Sequence, residues 1–245
     1  REIGAWDDPP LISVLVPVYN TPIPYLKDCI ESVRNQYYPH WELCIADDAS
    51  PDPHIRELLA SYAEKDKRIK VAYRECNGHI SAASNTALEM ATGEWTALLD
   101  HDDTLAPFAL YEAVRAFRDH PEWDMLYSDE DKIDEGGKRA APYFKPDWSP
   151  DTLLSSMYTC HLGVYRTSVL KEIGGFREGY EGAQDYDLML RFTEKTQGVG
   201  HIPKILYHWR MIEGSTALTP GQKTYAWEAG RKALTDAFRR PGPWI

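Results

Sequence analysis

Short apolar runs alternate with amphipathic segments along the N-terminal part of the chain. Four of the runs have the length and composition of buried strands: residues 11–16, 41–46, 69–73 and 95–99. Between them, apolar side chains recur at helical spacing in residues 22–36, in a segment that opens near Pro53, and in residues 80–91. Alternating strands and helices are typical of an α/β fold, so we predict a mostly parallel central sheet flanked by helices.

The remainder of the chain is less regular. Helices are predicted at residues 108–117, 185–195 and 224–240, and short strands at residues 125–127 and 161–165, the second of them antiparallel. A glycine-containing turn is predicted at residues 134–138, and a loop rich in proline and aromatic residues at residues 142–150. A length of 245 residues fits one domain, or one domain with a C-terminal extension.

Charge and cysteine content narrow the classes of function. The net charge of -11 argues against a nucleic-acid partner, and an acidic protein that binds phosphates needs a local cation or backbone N–H groups. The four cysteines form no CxxC pair, which argues against a zinc knuckle, and we predict buried free thiols at Cys29 and Cys44 and a cytoplasmic location. No apolar run is long enough for a membrane span, and no signal peptide is evident. The abrupt start at Arg1 suggests a domain excised from a larger protein.

Three carboxylates follow the fourth predicted strand, in the segment Asp100-His101-Asp102-Asp103. The carboxyl ends of parallel strands line the ligand crevice of such folds, and carboxylates this close repel one another unless a cation lies among them. Mg²⁺ and Mn²⁺ bind oxygen ligands and commonly link carboxylates to a diphosphate. The segment predicts a divalent metal site; the alternative is that Asp102, Asp103 or Thr104 caps the helix that follows.

A second acidic pair, Asp47-Asp48, ends the second predicted strand at the same edge of the sheet. A carboxylate there accepts hydrogen bonds from a nucleobase or a ribose hydroxyl, or else it forms an Asx turn before Pro51. The pair is therefore a candidate for nucleotide binding.

Three further candidates each have two interpretations. Asp185, just before a predicted helix, either deprotonates an acceptor hydroxyl or caps that helix. His208 either ligates a metal ion through a neutral imidazole or packs among the aromatic residues beside it. Residues 129–131 form an acidic run that is either solvated or lines a pocket.

Several motifs occur together and in order along residues 11–217. They are residues 14–20 (VLVPVYN), 46–50 (ADDAS), Asn77-Gly78 with residues 83–85 (ASN), Gly93-Glu94, residues 99–103 (LDHDD), 127–131 (YSDED), 145–148 (KPDW), 174–176 (GGF), 184–188 (QDYDL) and 207–210 (YHWR). This ordered set is similar to that of the family-2 glycosyltransferases. It resembles the bacterial members that build O-antigens, capsules and similar surface polysaccharides.

The resemblance implies a GT-A fold, with a Rossmann-like nucleotide-binding half at residues 11–104, an acceptor half at residues 105–217 and a helical extension at residues 218–245. It implies donor binding by Pro17, Tyr19, Asn20, Asp47, Asp48, Asn77, Ser81, Asn85, Asp100, His101 and Asp102. A Mn²⁺ or Mg²⁺ ion would be held by Asp102 and Asp100 of the DxD motif and by His208. Asp185 would be the general base of an inverting transfer, and Gln184, Trp148, Tyr127 and Asp129 would lie on the acceptor side.

The implied partners are a nucleotide-diphosphate sugar and a carbohydrate or lipid-linked carbohydrate acceptor. UDP is the expected nucleotide, with dTDP as its rival. Trp148, with Tyr143 and Phe144, is either a platform for a sugar ring or part of the core. The helix at residues 224–240 either contacts the inner face of the cytoplasmic membrane or packs against the catalytic domain or a further domain.

Two positions depart from the family pattern. Gln184 stands where the family has the Glu of its Glu-Asp pair, and Ser84 stands where an Arg often precedes Asn85. The first change removes a charge beside Asp185 but keeps the candidate base. The second means that any phosphate contact of that Arg must come from elsewhere.

Two other classes of protein use related folds. A non-catalytic module that binds sugar nucleotides or glycans would keep the fold without the reaction, and the presence of Asp102 and Asp185 argues against it. A nucleotidyltransferase would need a glycine-rich, basic loop after the first strand, and residues 17–22 contain neither glycine nor lysine. We therefore predict a glycosyltransferase.

Overall fold

The computed structural model describes Trp6, residues 8–212 and residues 224–240. Residues 213–223 and 241–245, which the predicted acceptor half and C-terminal extension include, lie outside the described residues, as does Arg1.

The strands and helices predicted up to residue 99 are confirmed, with ends that differ by one or two residues. The strands of the described residues are β1 (Ile12–Val18), β2 (Trp41–Asp47), β3 (Ile69–Tyr73), β4 (Trp95–Leu98), β5 (Thr104–Leu105), β6 (Met125–Ile133), β7 (Arg139–Tyr143), β8 (Gly163–Arg166) and β9 (Val199–Arg210). The helices are α1 (Ile23–Arg34), α2 (Pro53–Lys65), α3 (His79–Met90), α4 (Ala109–Asp119), α5 (Pro150–Leu153), α6 (Thr167–Glu172), α7 (Gln184–Thr193) and α8 (Thr224–Arg239).

The described strands form one sheet in the order β3-β2-β1-β4-β8-β6-β9-β5, and β7 pairs with the C-terminal part of β6. Strands β1 to β4 pair with one another in parallel. β8 is antiparallel to both β4 and β6, as predicted for residues 161–165, and β6 is parallel to β9. The predicted mostly parallel α/β sheet is therefore confirmed.

Helices cover both faces of the sheet, which explains why the strands read as continuous apolar runs rather than alternating ones. In β1, Val14 and Val16 face a core that includes α1, α2 and α4. Leu15, between them, faces a second core that includes Ala83 and Ala87 of α3 together with α7 and α8. Among the described residues, no helix is long and apolar enough to cross a membrane.

The predicted short strand at residues 125–127 is wrong in length, because β6 continues to Ile133 alongside β9. Its three acidic residues are only 2–4% exposed, so the interpretation of a solvated acidic run is also wrong. β9 itself was not predicted, since Pro203 and Lys204 interrupt its apolar pattern. β7 likewise takes up Pro142 and Tyr143, the first two residues of the predicted loop.

Candidate active site

The sheet has a topological switch point between β1 and β4. From β1 the chain passes through α1 to β2 on one side, whereas α3 carries it from β3 to β4 on the other side. Ligands of open α/β sheets bind in the crevice that such a reversal opens at the carboxyl ends of the strands. A cavity of about 630 Å³ lies there, bounded by the ends of β1 and β4 and by the loop that enters α7.

Many of the residues predicted for the site line this cavity: Pro17, Tyr19, Asp48, Asn77, Asp100, His101, Gln184 and Asp185. The lining also includes residues that were not assigned to the site from the sequence, among them His79, Ser84, Cys160, His161, Glu181, Gly182, Trp209 and Tyr225. The structure therefore brings both acidic strand ends and Asp185 to one cavity.

The carboxylate of Asp48 is buried and fixed beside the start of α3. It accepts hydrogen bonds from Arg74 Nε at 2.7 Å and from the Gly78 backbone N–H at 3.0 Å. Asp47 does not line the cavity; its carboxylate accepts from the Ser50 backbone N–H at 3.3 Å and so closes a local turn. The turn interpretation thus applies to Asp47, and only Asp48 lies where it could contact a ligand in the cavity.

Asp103 anchors the loop that carries the DxD motif. Its fully buried carboxylate accepts hydrogen bonds from Tyr207 Oη at 2.6 Å and from the Arg210 backbone N–H at 2.7 Å. Burial raises the pKa of Asp103 well above its ordinary value, and the charges of Asp102 and Asp100 add to the shift. The alternative of a helix cap is wrong, because α4 begins after Phe108 with no side-chain cap.

Asp100 and Asp102 suit a hard divalent cation. The side chain of Asp100 is 43% exposed at the cavity wall. Burial raises the pKa of Asp102, with Asp100 adding to the shift and His101 opposing it, so a nearby cation would favour the ionised pair. Two carboxylates are a common protein contribution to a Mg²⁺ site that a diphosphate completes. Within residues 8–212 and 224–240, however, no three His, Cys, Asp or Glu side chains converge on one metal position.

His208 is not brought to this group of carboxylates. Its Nδ1 lies 2.5 Å from Asp131 Oδ1, and its ring lines a second, smaller cavity with Asp28, Thr104 and Arg210. Side chains alternate across a strand, so Trp209, the next residue of β9, lines the large cavity instead. Asp102 also lies outside the lining of the large cavity, at the edge next to His101.

Asp185 lies in the first turn of α7, at the wall of the large cavity. The capping residue is Ala183, which makes no side-chain cap, so the interpretation of Asp185 as a helix cap is wrong. Its Oδ1 accepts a local hydrogen bond from the Tyr186 backbone N–H at 2.8 Å. Burial raises the pKa of Asp185, although the nearby His161 opposes the shift. A buried carboxylate with a raised pKa is a candidate proton acceptor.

His161 joins the cavity wall to a buried ion-pair network. Its Nδ1 lies 3.3 Å from Glu130 and its Nε2 3.7 Å from Asp100, while its ring stacks on Tyr207. Burial favours the neutral ring, but the hydrogen bond and charge of Glu130 outweigh it and raise the pKa of His161 to about 9. The ammonium group of Lys145, fully buried, lies 2.9 Å from the same Glu130 carboxylate.

Besides Asp47 and Asp102, three further residues predicted to bind the donor lie outside the cavity lining. Asn85 donates through Nδ2 to the Phe176 carbonyl and accepts from the Phe176 N–H, both at 2.8 Å, so it joins α3 to the turn before α7. Asn20 is exposed and its backbone N–H donates to Ser50 Oγ. Ser81 is fully buried in the first turn of α3.

The residues predicted for the acceptor side, apart from Gln184, also lie elsewhere. Tyr127 is fully buried and donates to the Pro146 carbonyl at 2.7 Å. Asp129 is 2% exposed and accepts from the Lys145 backbone N–H at 2.9 Å. Trp148 stacks on Tyr158, with ring centroids 6.5 Å apart, and packs against the core while remaining partly exposed. Asp129 lies in the part of β6 that was not predicted, and Trp148 follows it in the chain, so their surroundings could not be inferred from the sequence.

The sequence contained a signal for one unassigned residue. His161 begins the predicted antiparallel strand, and the start of an antiparallel strand lies beside the end of its neighbour. Since β8 pairs with β4, His161 had to lie near the Asp100 segment. Trp209 and Tyr225 carried no such signal, because β9 was not predicted and the position of α8 depends on tertiary packing.

Comparison with known proteins supplies the family. The model of "Glycosyl transferase family 2" matches residues 13–174. The O-antigen biosynthesis protein RfbC of Myxococcus xanthus is 42% identical over 95% of this chain, which spans 18% of that protein. The chain likewise spans 29% of the chondroitin synthase of Escherichia coli, to which it is 34% identical over 84% of its own length.

Solved structures share the fold. TarS of S. aureus, residues 1–349 in complex with UDP, matches with a TM-score of 0.74 and 23% identity, over 96% of this chain and 67% of that one. The mannosyltransferase PcManGT of Pyrobaculum calidifontis, in complex with GDP-Man and Mn²⁺, matches with a TM-score of 0.69 and 20% identity, over 96% and 66% of the two chains. The family model covers the chain from β1 through α6, and the large cavity lies at the switch point between β1 and β4. This chain is therefore a GT-A domain that belongs to glycosyl transferase family 2.

Proposed function

We propose that the chain transfers a sugar from a nucleotide-diphosphate donor to a hydroxyl group of a carbohydrate or lipid-linked carbohydrate, with inversion at the anomeric carbon. The observation that carries this proposal is the meeting of Asp48, Asp100 and Asp185 in one cavity at the switch point. Asp48 is fixed where a nucleoside would lie, Asp100 suits a cation, and Asp185 is a candidate base.

The donor would enter along the β1 and β2 ends of the cavity. Asp48 and Asn77 offer acceptors and donors for a base and ribose, and Tyr19, 49% exposed, offers an aromatic face. UDP is the first candidate nucleotide, because TarS has been solved with UDP and with UDP-GlcNAc, and dTDP is the second. RfbC and the chondroitin synthase suggest polysaccharide biosynthesis as the process.

Asp100 and Asp102 would hold Mn²⁺ or Mg²⁺ with the donor diphosphate, as the complex of PcManGT with Mn²⁺ suggests for the fold. A bound divalent cation stabilises the negative charge that develops on the departing nucleotide diphosphate. We do not extend the proposed ligand set to His208, whose ring is held by Asp131.

Asp185 would act on the acceptor. Its carboxylate takes the proton of the attacking hydroxyl as the oxygen forms a bond to the anomeric carbon and the bond from that carbon to the diphosphate oxygen breaks. The raised pKa of Asp185 makes it a better proton acceptor than an exposed aspartate. Gln184, in place of a second acid, leaves the base without a charged neighbour in sequence.

Asp185→Asn tests the proposal. A lost general base typically lowers rate about 10²–10⁴-fold, so we expect this loss in nucleotide release from UDP-glucose, UDP-galactose or UDP-GlcNAc with Mn²⁺ and a panel of oligosaccharide acceptors. UDP affinity should be retained, which shows that the donor site is intact. Transfer at the wild-type rate would remove Asp185 from the mechanism.

A further inference from the structure

An aromatic side chain from α8 reaches the large cavity. Tyr225 lines the cavity together with Gly182, Gln184 and Asp185, yet it remains 51% exposed. Its ring lies directly on Gly182, in the loop that enters α7. A Cβ atom added to Gly182 would lie 2.6 Å from Tyr225 Cε2 and 3.0 Å from Cδ2. Because Gly182 has no side chain and adopts a φ of +89°, the ring packs closely on the backbone that leads to Asp185.

Helix α8 is firmly attached to the segment that carries Asp185, so the ring has a fixed place. Ala233 and Ala237 are fully buried in the core that includes α7. At the surface, Lys232 Nζ donates to the Gly179 carbonyl at 3.0 Å, and the Tyr180 hydroxyl donates to Asp236. An aromatic ring fixed in this way offers contact area at little cost in conformational entropy.

The position of Tyr225 differs from that of the groups suited to the donor. Gly182 precedes Asp185 by three residues, so their Cα atoms are at most about 11 Å apart. An acceptor hydroxyl that gives its proton to Asp185 brings its sugar ring beside this loop. Pro17, by contrast, lies near the end of β1, and Asp48 and Asn77 follow β2 and β3.

We propose that Tyr225 is a specificity-determining residue that stacks against the acceptor sugar. The proposal rests on the proposed function, since it takes Asp185 as the group that meets the acceptor. The apolar C–H face of a pyranose packs on an aromatic ring, and the edge hydroxyls remain free for polar groups such as Gln184. The ligand class is a glycan with at least one pyranose near its acceptor end, not a nucleotide.

The same helix supplies a matched control. Trp227 is 70% exposed, two residues from Tyr225, and is not among the residues that line the cavity in the described part of the chain. A general effect of removing a surface aromatic from α8 would appear in both variants. An effect on acceptor binding should appear only at Tyr225.

The test measures glycan and nucleotide binding side by side. The 245-residue chain and its Tyr225→Ala, Tyr225→Phe and Trp227→Ala variants are applied, with UDP and Mn²⁺, to an array of bacterial surface oligosaccharides. We expect Tyr225→Ala to bind its array glycans about tenfold more weakly, as the loss of an aromatic contact predicts, and Tyr225→Phe and Trp227→Ala to bind as the unaltered chain does. UDP affinity, measured by calorimetry, should be the same in all four proteins.

Three results would overturn the inference: unchanged glycan binding in Tyr225→Ala, an equal loss in Trp227→Ala, or no glycan bound by an unaltered chain that does bind UDP. Equal loss of UDP and glycan binding in Tyr225→Ala would also overturn it, since it indicates a disturbed site. Failure of the unaltered chain to bind any nucleotide is a different outcome: it contradicts the proposed function, while a glycan signal that depends on Tyr225 would still support the acceptor site.

Discussion

The carboxylate of Asp185 lies where its ionised form is disfavoured. Partial burial raises its pKa, and its carboxylate accepts a local hydrogen bond from the adjacent Tyr186 N–H. Asp187, two residues on, is fully buried and is paired with Arg191 at 2.8 Å and with Arg177. The two carboxylates of one helix turn therefore have opposite effects on stability, and the unpaired one faces the cavity.

Stability should reflect this contrast. The pKa of Asp185 is raised in the folded state above its ordinary value of 3.8, so ionisation of this carboxyl group destabilises the folded protein. The protein therefore loses stability as pH rises through the raised pKa. Asp185→Asn cannot lose that proton, so we expect it to unfold at a higher temperature than the wild type at pH 7.5, by about 2–4 °C for each kcal/mol gained, and to show a smaller gain at pH 4, close to the ordinary value of 3.8. Thermal unfolding at the two pH values measures the difference.

Asp187→Asn is the control for this prediction, because it removes the partner of a buried Arg191 and should lower the unfolding temperature. A less stable Asp185→Asn at pH 7.5, or a gain equal at both pH values, would contradict the assignment of an unpaired, buried carboxylate.

At the residue scale, the sequence predicted the groups whose position follows from a strand end. Asp48, Asp100 and Asp185 follow apolar runs or precede a helix, so local pattern alone located them. Tyr225 could not be predicted, since nothing in residues 224–240 indicates that α8 returns to Gly182. Asn85 was assigned correctly to α3, but its partner Phe176 is 91 positions away and visible only in the fold.

At the element scale, β6 and the chain that follows it hold one wall of the cavity. Lys145 Nζ is completely buried and donates to Glu130 at 2.9 Å and to the carbonyls of Ser128 and Thr159, each at 2.7 Å, and of His161. Burial lowers the pKa of Lys145, and the charge of Glu130 opposes the shift. One ammonium group thus fastens the loop of Thr159 and His161 to β6.

Removing that group should be costly. In Lys145→Met the buried Glu130 carboxylate loses its ammonium partner and keeps only His161, so we expect the free energy of unfolding to fall by about 3–5 kcal/mol. Lys204→Met is the comparison, since Lys204 is 43% exposed in its pair with Glu112, and such pairs contribute about 0–1 kcal/mol. Urea unfolding of both variants measures the difference. Equally small losses would show that the buried network does not fix this loop.

The same elements show why the sequence predicted the first half of the fold better than the second. Strands β1 to β4 are covered by helices on both faces, and their continuous apolar runs make them recognisable. β6 and β9 instead carry polar and charged residues. Some of these residues pair between the two strands, and others pair with the segment around Lys145. Their burial is visible only after the ion pairs are known.

At the scale of the whole molecule, an anionic ligand has to bind an acidic protein. The chain has 27 basic and 38 acidic residues, and the cavity wall adds Asp48, Asp100, Glu181 and Asp185. Arg74 is engaged by Asp48, and His161 by Glu130. A nucleotide diphosphate in this cavity would therefore need a divalent cation. Metal-dependent nucleotide binding is thus the consequence that an experiment can test most directly.

The most direct measurement is a calorimetric titration with UDP, dTDP, GDP and CMP, each in Mn²⁺ and in EDTA. We predict that one nucleoside diphosphate binds, at least about tenfold more tightly with Mn²⁺, and that Asp102→Ala removes the metal-dependent part while leaving the weaker metal-free binding. Binding of equal strength in Mn²⁺ and EDTA would contradict the metal site at Asp100 and Asp102. No binding of any of the four by the folded chain would contradict the donor site, and with it the proposed transfer reaction.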